Sequence, residues 1–153
     1  MKEKKQLRVD PIKNGTVIDH ITAGKALQVA DILNLQQTDN LMLIGVHLSS
    51  KKMGKKDIVK IENRNLTADE VNGIALISPN ATLTIIEDYR VVKKQKITLP
   101  EAIKGHIICP NPNCVTNVEQ VETRFIIANG TPVEVQCAYC EKKYGIEDVK
   151  FRF

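Results

Sequence analysis

The sequence predicts an α+β fold: a ferredoxin-like antiparallel sheet with two helices on one face, followed by a small all-β domain. Three observations carry that prediction. The first is the order of hydrophobic patterns, which runs strand, helix, strand, strand, helix, strand over residues 7–92. The second is a shift in composition: residues 1–104 hold 17 basic and 12 acidic side chains, whereas residues 105–153 hold 5 and 6. The aromatics run the other way, with only Tyr89 before residue 105 and Phe125, Tyr139, Tyr144, Phe151 and Phe153 after it. The third is that all four cysteines fall in the last third of the 153 residues. Together these place a boundary near 93–104, where Lys93-Lys94-Gln95-Lys96 and Pro100 read as a linker, and divide the chain into domains 1–98 and 99–153.

Taken in order, residues 7–21 read as extended, with 7–12 and 16–21 forming a hairpin about a turn at Asn14-Gly15. Residues 23–35 read as a helix, because Ala23, Ala26, Leu27, Ala30 and Leu33 recur at three- and four-residue spacing and make one apolar stripe. Residues 41–48 suit a buried strand, and 56–62 a second strand after a loop containing Gly54. Residues 67–78 carry the strongest helix signal. Thr67 and Glu70 have the spacing of a capping box, Leu66 and Val71 that of a hydrophobic staple, and Pro79 pushes Ser78 out of the helical region. Residues 82–92 return to strand character.

Several classes are excluded early. No apolar run approaches the ~20 residues that span a bilayer, so no membrane segment is expected. The start, Met1-Lys2-Glu3-Lys4-Lys5, has no apolar run behind it and does not read as a secretory signal. A cytoplasmic location is expected, in which four cysteines point to a metal rather than to disulfides.

Cys109 and Cys114 are separated by four residues, Cys137 and Cys140 by two, with 22 between the pairs. Two short-spaced thiol pairs brought together by a longer excursion form the pattern of a tetrahedral four-thiolate zinc site. Pro110, Asn111, Pro112 and Asn113 favour the tight turn that the first pair needs. Zinc is the expected ion; iron takes the same four ligands. With every ligand supplied by protein, no position is left for water, so one structural Zn2+ per chain is expected. Its binding supplies an apparent ~10–16 kcal/mol of folding free energy to a segment with few large apolar side chains. His106 lies near this set and reads as an exposed polar residue.

Lys51, Lys52, Lys55 and Lys56 form a basic run, followed by Lys60. On a strand, Lys56 and Lys60 point to one side about 13 Å apart. Such a run is a solvated face or a cluster gathered on polyphosphate, and no glycine-rich phosphate loop accompanies it. Asp19-His20 at the end of an apolar strand is a pair of strand-end polar residues, or an acceptor for ribose hydroxyls beside a phosphate contact.

In chain order these pieces become specific. The segment Asn14-Gly15-Thr16-Val17-Ile18-Asp19-His20-Ile21 resembles the opening strand region of the regulatory chain of aspartate carbamoyltransferase. So does Met53-Gly54-Lys55-Lys56-Asp57-Ile58-Val59-Lys60-Ile61-Glu62-Asn63, while Cys109-Pro110-Asn111-Pro112-Asn113-Cys114 and Cys137-Ala138-Tyr139-Cys140-Glu141-Lys142 resemble its zinc-binding domain. The resemblance covers essentially the whole chain. It implies a non-catalytic subunit that binds CTP, UTP or ATP and tunes carbamoyl transfer to aspartate in pyrimidine biosynthesis. It implies a homodimer of regulatory chains and a zinc domain that docks on the catalytic chain. It also implies roles for single residues. Lys60 and Lys94 would hold phosphates with His20 beside them, Asp19 would take ribose hydroxyls, and Lys56 would serve the phosphates or a second nucleotide. Backbone groups around Val9, Asp10, Ile12, Tyr89 and Val91 would read the base. Asn111, Asn113 and Lys142 would face the catalytic chain.

The resemblance to the best-known members implies a lysine at position 6 and an asparagine at 47, where this sequence has Gln6 and His47. Both belong to the region of a second nucleotide, so one nucleotide per site is expected. The alternative reading, a zinc-ribbon nucleic-acid-binding protein, fits less well. The cysteine-bearing segment is slightly acidic and the basic domain has one aromatic, so neither phosphate tracking nor base stacking is provided for.

Overall fold

The computed structural model describes residues 9–34, 36–128, 130 and 132–152. The chain begins with β1 (Gly15–Thr22), α1 (Ala26–Ile32), β2 (Met42–Ser50), β3 (Gly54–Glu62), α2 (Ala68–Ile77) and β4 (Thr82–Glu87), the βαββαβ order expected, and adds β5 (Arg90–Lys96). These strands form one antiparallel sheet in the order β2-β3-β1-β4-β5. Both helices lie on one face, where Ile18, Ile21, Val59 and Leu83 of the strands pack with Val29, Ile32, Leu33, Ile74 and Ala75 of the helices.

The second sheet joins β6 (Ala102–Lys104), β8 (Arg124–Ala128), β9 (Glu134–Cys137) and β10 (Lys143–Gly145) in the order β10-β9-β8-β6. A short ribbon pairs β7 (Ile107–Ile108) with β11 (Lys150–Phe151). Apart from a four-residue helix, α3 (Val115–Val118), and a single 3-10 turn at Ile146–Asp148, the region is all β. Its core is built on the fully buried Phe125, with Ile103, Ile107, Val133, Val135 and three of the cysteines. Leu76 of α2 belongs to this second core, and Leu99 packs against both cores.

Four expectations from the sequence are corrected. The hairpin about Asn14-Gly15 does not form: β1 already has β3 on one side and β4 on the other, so no edge is left for residues 9–14. That segment instead crosses the open face of the sheet, with Ile12 buried and the carbonyls of Val9 and Asp10 held by the Lys60 ammonium at 3.1 and 2.9 Å. Gly45 makes room for it, since a Cβ there would lie 2.9 Å from Val9 Cγ2. Residues 82–92 are not one strand. Asp88 and Tyr89 both have positive φ, 50° and 64°, and turn the chain between the paired Glu87 and Arg90. A two-residue turn of that hand matches the twist of a hairpin.

The stretch Lys93-Lys94-Gln95-Lys96 is accordingly the body of β5 rather than a linker. The helix expected over 23–35 is also shorter. Gly24, at φ +90°, cannot continue a helix toward the N-terminus, and Asn34, at φ +58°, lies in the left-handed region just beyond its end. The capping box of α2 is as read: Glu70 N–H donates to Thr67 Oγ1 at 3.2 Å, and Thr67 N–H to Glu70 Oε1 at 3.0 Å. Arg64 adds a clamp, donating to Leu33 O at the end of α1 and to Glu70 at the start of α2.

Candidate functional sites

The four cysteines come from two knuckles. Cys109 follows β7 and Cys114 caps α3, while Cys137 ends β9 and Cys140 lies in the turn to β10. In the first knuckle Asn111 Oδ1 accepts from Asn113 N–H at 3.1 Å, and Asn111 O accepts from Cys114 N–H at 3.0 Å. The Asn117 amide then donates to the carbonyls of Cys109 (2.8 Å) and Asn111 (2.7 Å). In the second knuckle Glu141 N–H donates to Cys137 O at 2.9 Å and Cys137 N–H to Lys142 O at 3.0 Å, a tight reversal made by Glu141 at φ +63°.

The result is four sulfurs within 4.8 Å of one another, with Cys109–Cys140 at 3.8 Å and Cys114–Cys137 at 3.7 Å. Thiolates bound at roughly 2.3 Å to one tetrahedral ion stand about 3.8 Å apart, so the donor set fits a four-coordinate thiophilic metal. The thiols are not equivalent. Burial pushes Cys109 up to about 12. Burial also opposes ionisation of Cys114, but hydrogen bonds from the Thr116 hydroxyl (3.2 Å to Sγ) and backbone N–H outweigh it and bring it down to about 7.

His106 is half-buried rather than exposed, because its ring bridges the two sheets' domains. Nδ1 lies 3.0 Å from Arg152 O and Nε2 3.1 Å from Asp69 Oδ2 at the start of α2. Lys25 Nζ and Glu147 Oε1, 3.3 Å apart, make an ion pair between the same parts.

On the open face of the first sheet, strand pairing puts Leu43, Lys60, Val17, Thr84 and Lys94 in one transverse row. Lys60 and Lys94 are three strand spacings apart, about 14 Å. The next positions toward the end of β1 are distorted. Between Ile18 and Ile21, two residues of β1 oppose one of β3, a β-bulge with His20 at φ +56°. The bulge keeps both isoleucines in the core while Asp19 and His20 turn to the open face. Asp19 Oδ1 accepts from His20 N–H at 2.7 Å and pairs with Lys56 Nζ at 2.8 Å. His20 Nδ1 lies 3.1 Å from Thr82 Oγ1.

The electrostatics of this corner are those of clustered ammonium groups. Burial lowers the His20 pKa; Asp19 opposes this, while Lys56, Lys52 and Lys94 push it lower still. Three lysines from three different segments therefore act on one imidazole. Burial likewise lowers Lys60, against the pull of Asp19 and Asp10. Such an arrangement attracts a multiply charged anion and discourages cations.

The sequence profile described as aspartate carbamoyltransferase regulatory chain, allosteric domain, matches residues 7–98, and that of the regulatory chain's metal binding domain matches residues 101–150. The chain belongs to the aspartate carbamoyltransferase regulatory-chain family. The regulatory chain of Methanothermobacter thermautotrophicus is 46% identical over 154 residues, covering 100% of this chain and 99% of that one. That of Pyrococcus abyssi is 49% identical over 146 residues (94% and 96%), and that of Methanococcus maripaludis 50% over 139 (91% and 93%). Its relatives are regulatory rather than catalytic subunits, and this chain is one of them.

Seen as a regulatory chain, the expected residues fall into three groups. Asp19, His20, Lys56, Lys60 and Lys94 share the open face, and Val9, Asp10 and Ile12 cross it. Tyr89 and Val91 are exposed on the β4–β5 hairpin, whose turn is tied to the crossing segment by Tyr89 N–H to Lys13 O at 2.9 Å. Asn111, Asn113 and Lys142 stand on the two knuckles, beside the exposed Val118 and Tyr139. Gln6, Lys4 and Lys5 lie outside the described residues; His47 is exposed at φ +60°. Residue-by-residue reading missed Lys52 as a neighbour of His20, Thr82 as its partner, and Thr116 and Asn117 as supports of the metal ligands. A hydroxyl two residues after Cys114, and an asparagine three after it, are the signals that could have pointed to the last two.

Proposed function

We propose that the open face of the first sheet binds the triphosphate of a nucleotide effector, CTP, UTP or ATP, and that the chain thereby tunes carbamoyl transfer by a separate catalytic chain. The observation that carries this reading is the grouping of three lysines on one face: Lys56 pairs with Asp19 at the β1 bulge, and Lys60 and Lys94 stand in one transverse row beside it. Lys60 and Lys94 hold phosphates with His20 and Lys56 beside them, and Asp19 takes the ribose hydroxyls. Backbone groups of Val9, Asp10, Ile12, Tyr89 and Val91 meet the base. Residues 1–98 act as the nucleotide domain and 99–153 as the zinc domain. Cys109, Cys114, Cys137 and Cys140 hold one structural Zn2+, which supplies folding free energy. Asn111, Asn113 and Lys142 face the catalytic chain, regulatory chains pair as homodimers, and the assembly works in the cytoplasm.

Calorimetric titration of the full chain with CTP and ATP tests the reading. The Lys94 side chain makes no hydrogen bond or ion pair with the described residues, so Lys94→Ala removes its charge beside His20 and its contact with the ligand but no bond that holds the fold. It weakens binding by about 1.5–3 kcal/mol without moving the thermal midpoint. Lys60→Ala weakens binding comparably and also loosens the segment at Val9 and Asp10. Wild-type affinity for both nucleotides in both variants contradicts the assignment.

A further inference from the structure

Asp57 is fully buried on the helix face of β3, and its carboxylate has three backbone customers. Oδ2 accepts from Gly24 N–H at 2.8 Å and from Ala26 N–H at 2.9 Å, which fixes the turn into α1. Oδ1 accepts from His47 N–H at 2.9 Å. Both neighbouring strands are bulged around it. β2 bulges between Gly45 and Leu48, and β1 between Ile18 and Ile21, with Ile21 paired to Asp57 itself. Its chain neighbour Lys56 points to the opposite face and holds Asp19. Between the two N–H groups held by Oδ2 sits Lys25, whose ammonium reaches Glu147 of the second domain.

We propose that Asp57 is the positioning residue that carries the state of the open face to the contact between the domains. The inference rests on the nucleotide reading given above. A polyphosphate that draws Lys56 from Asp19 shifts the β3 backbone at residue 56, and the pleat passes that shift to residue 57. A buried carboxylate with three N–H donors cannot move alone, since leaving those groups unmatched in the core is unfavourable. The turn at Gly24–Ala26 therefore moves with it, and Lys25 and Glu147 register the change.

The position calls for an acid. Asparagine has nearly the same shape but one acceptor oxygen, so it satisfies either the α1 turn or His47 N–H, while its NH2 faces a donor on the other side. The test uses the full chain and CTP, with amide exchange followed by NMR, together with inhibition or activation of the catalytic chain in the reconstituted assembly. In the wild type, CTP is expected to alter exchange at Gly24 and Ala26 and at Ile146–Asp148. Asp57→Asn is expected to bind CTP within about threefold of wild type while its response at Ile146–Asp148 and its effect on carbamoyl transfer fall by about fivefold or more.

Full transmission by Asp57→Asn overturns the proposal, as does loss of binding and response in equal measure, which marks a merely structural role. Should the variant not fold, Lys25→Ala keeps the question open to decision. The response at Gly24 and Ala26 is then expected to persist and that at Ile146–Asp148 to fall, and an undiminished response at both rejects the route. CTP binding to the wild type with no change at Gly24 and Ala26 sinks this inference alone. No binding of CTP, UTP or ATP to the wild type sinks the nucleotide reading.

Discussion

Asp19 Oδ1 lies 2.8 Å from Lys56 Nζ across the β1 bulge, so the acid and the ammonium nearest the strand end occupy one another. Burial alone would raise the Asp19 carboxyl, but the hydrogen bonds from Lys56 and His20 N–H, with the charge of Lys56, hold it below its ordinary 3.8. A carboxyl lowered on folding contributes stability that is present above the unfolded value and lost as pH falls through the folded one. The pair is about one quarter exposed, so this contribution is small, below about 1 kcal/mol. Lys56→Met is expected to raise the Asp19 midpoint, read from its carboxyl carbon by NMR. An unmoved midpoint would show that the ion pair is not what holds it down.

His20 gives the sign of a ligand's charge. Its imidazole is held below the ordinary 6.5 by burial, and then by Lys56, Lys52 and Lys94 against Asp19. A triphosphate placed among those lysines reverses the local potential and favours the protonated ring. Bound nucleotide therefore raises the His20 midpoint, and by linkage binding tightens as pH falls through that range. The check is the His20 ring proton shift from pH 5 to 8, with and without CTP. A downward or absent shift on saturation places the phosphates elsewhere.

Much of this was legible in the residues, and the failures have physical causes. The Thr67–Glu70 box and the cysteine spacing are local devices, encoded within a few positions, and both read correctly. The β4–β5 hairpin was missed because Asp88-Tyr89 makes its positive-φ turn without the usual glycine. The bulge at Asp19–His20 and the role of Asp57 depend on partners that are distant in sequence. The three N–H groups on Asp57 come from residues 24, 26 and 47, and no pattern around residue 57 announces them. The path of residues 9–14 has a related cause: an extended segment pairs with its neighbour only where that neighbour has a free edge, and β1 has none.

The metal domain should depend on its ion. Among the described residues its core holds one fully buried aromatic, Phe125, and three of its buried members are the cysteines themselves. Structural zinc in such a site contributes an apparent ~10–16 kcal/mol, more than a core of this size supplies. Chelation or mercurial treatment is expected to unfold residues 99–153 and to release the catalytic chain, while the first sheet keeps its amide protection. The freshly isolated chain should carry about one zinc. Well under half an equivalent of zinc, or an intact second sheet after stripping, refutes this account.

A last expectation concerns a second nucleotide. Two triphosphates side by side need cations between them, because unit charges ~4–6 Å apart repel by several kcal/mol at an effective dielectric near 20. Gln6 offers a hydrogen bond where the resemblance to the best-known members implies an ammonium. The backbone at His47 is tied to the core, since its N–H is held by the buried Asp57 at 2.9 Å and its φ is +60°. One effector per site is therefore expected, with CTP competing for the site and weakening rather than tightening apparent UTP binding in the presence of magnesium. The His47→Asn variant, which places there the residue that the resemblance implies without adding charge, should behave the same way. Tightening of UTP by about tenfold or more on saturation with CTP would contradict the single-effector reading. Loss of that tightening in Lys4→Ala or Lys5→Ala would then identify the cation that stands in for position 6.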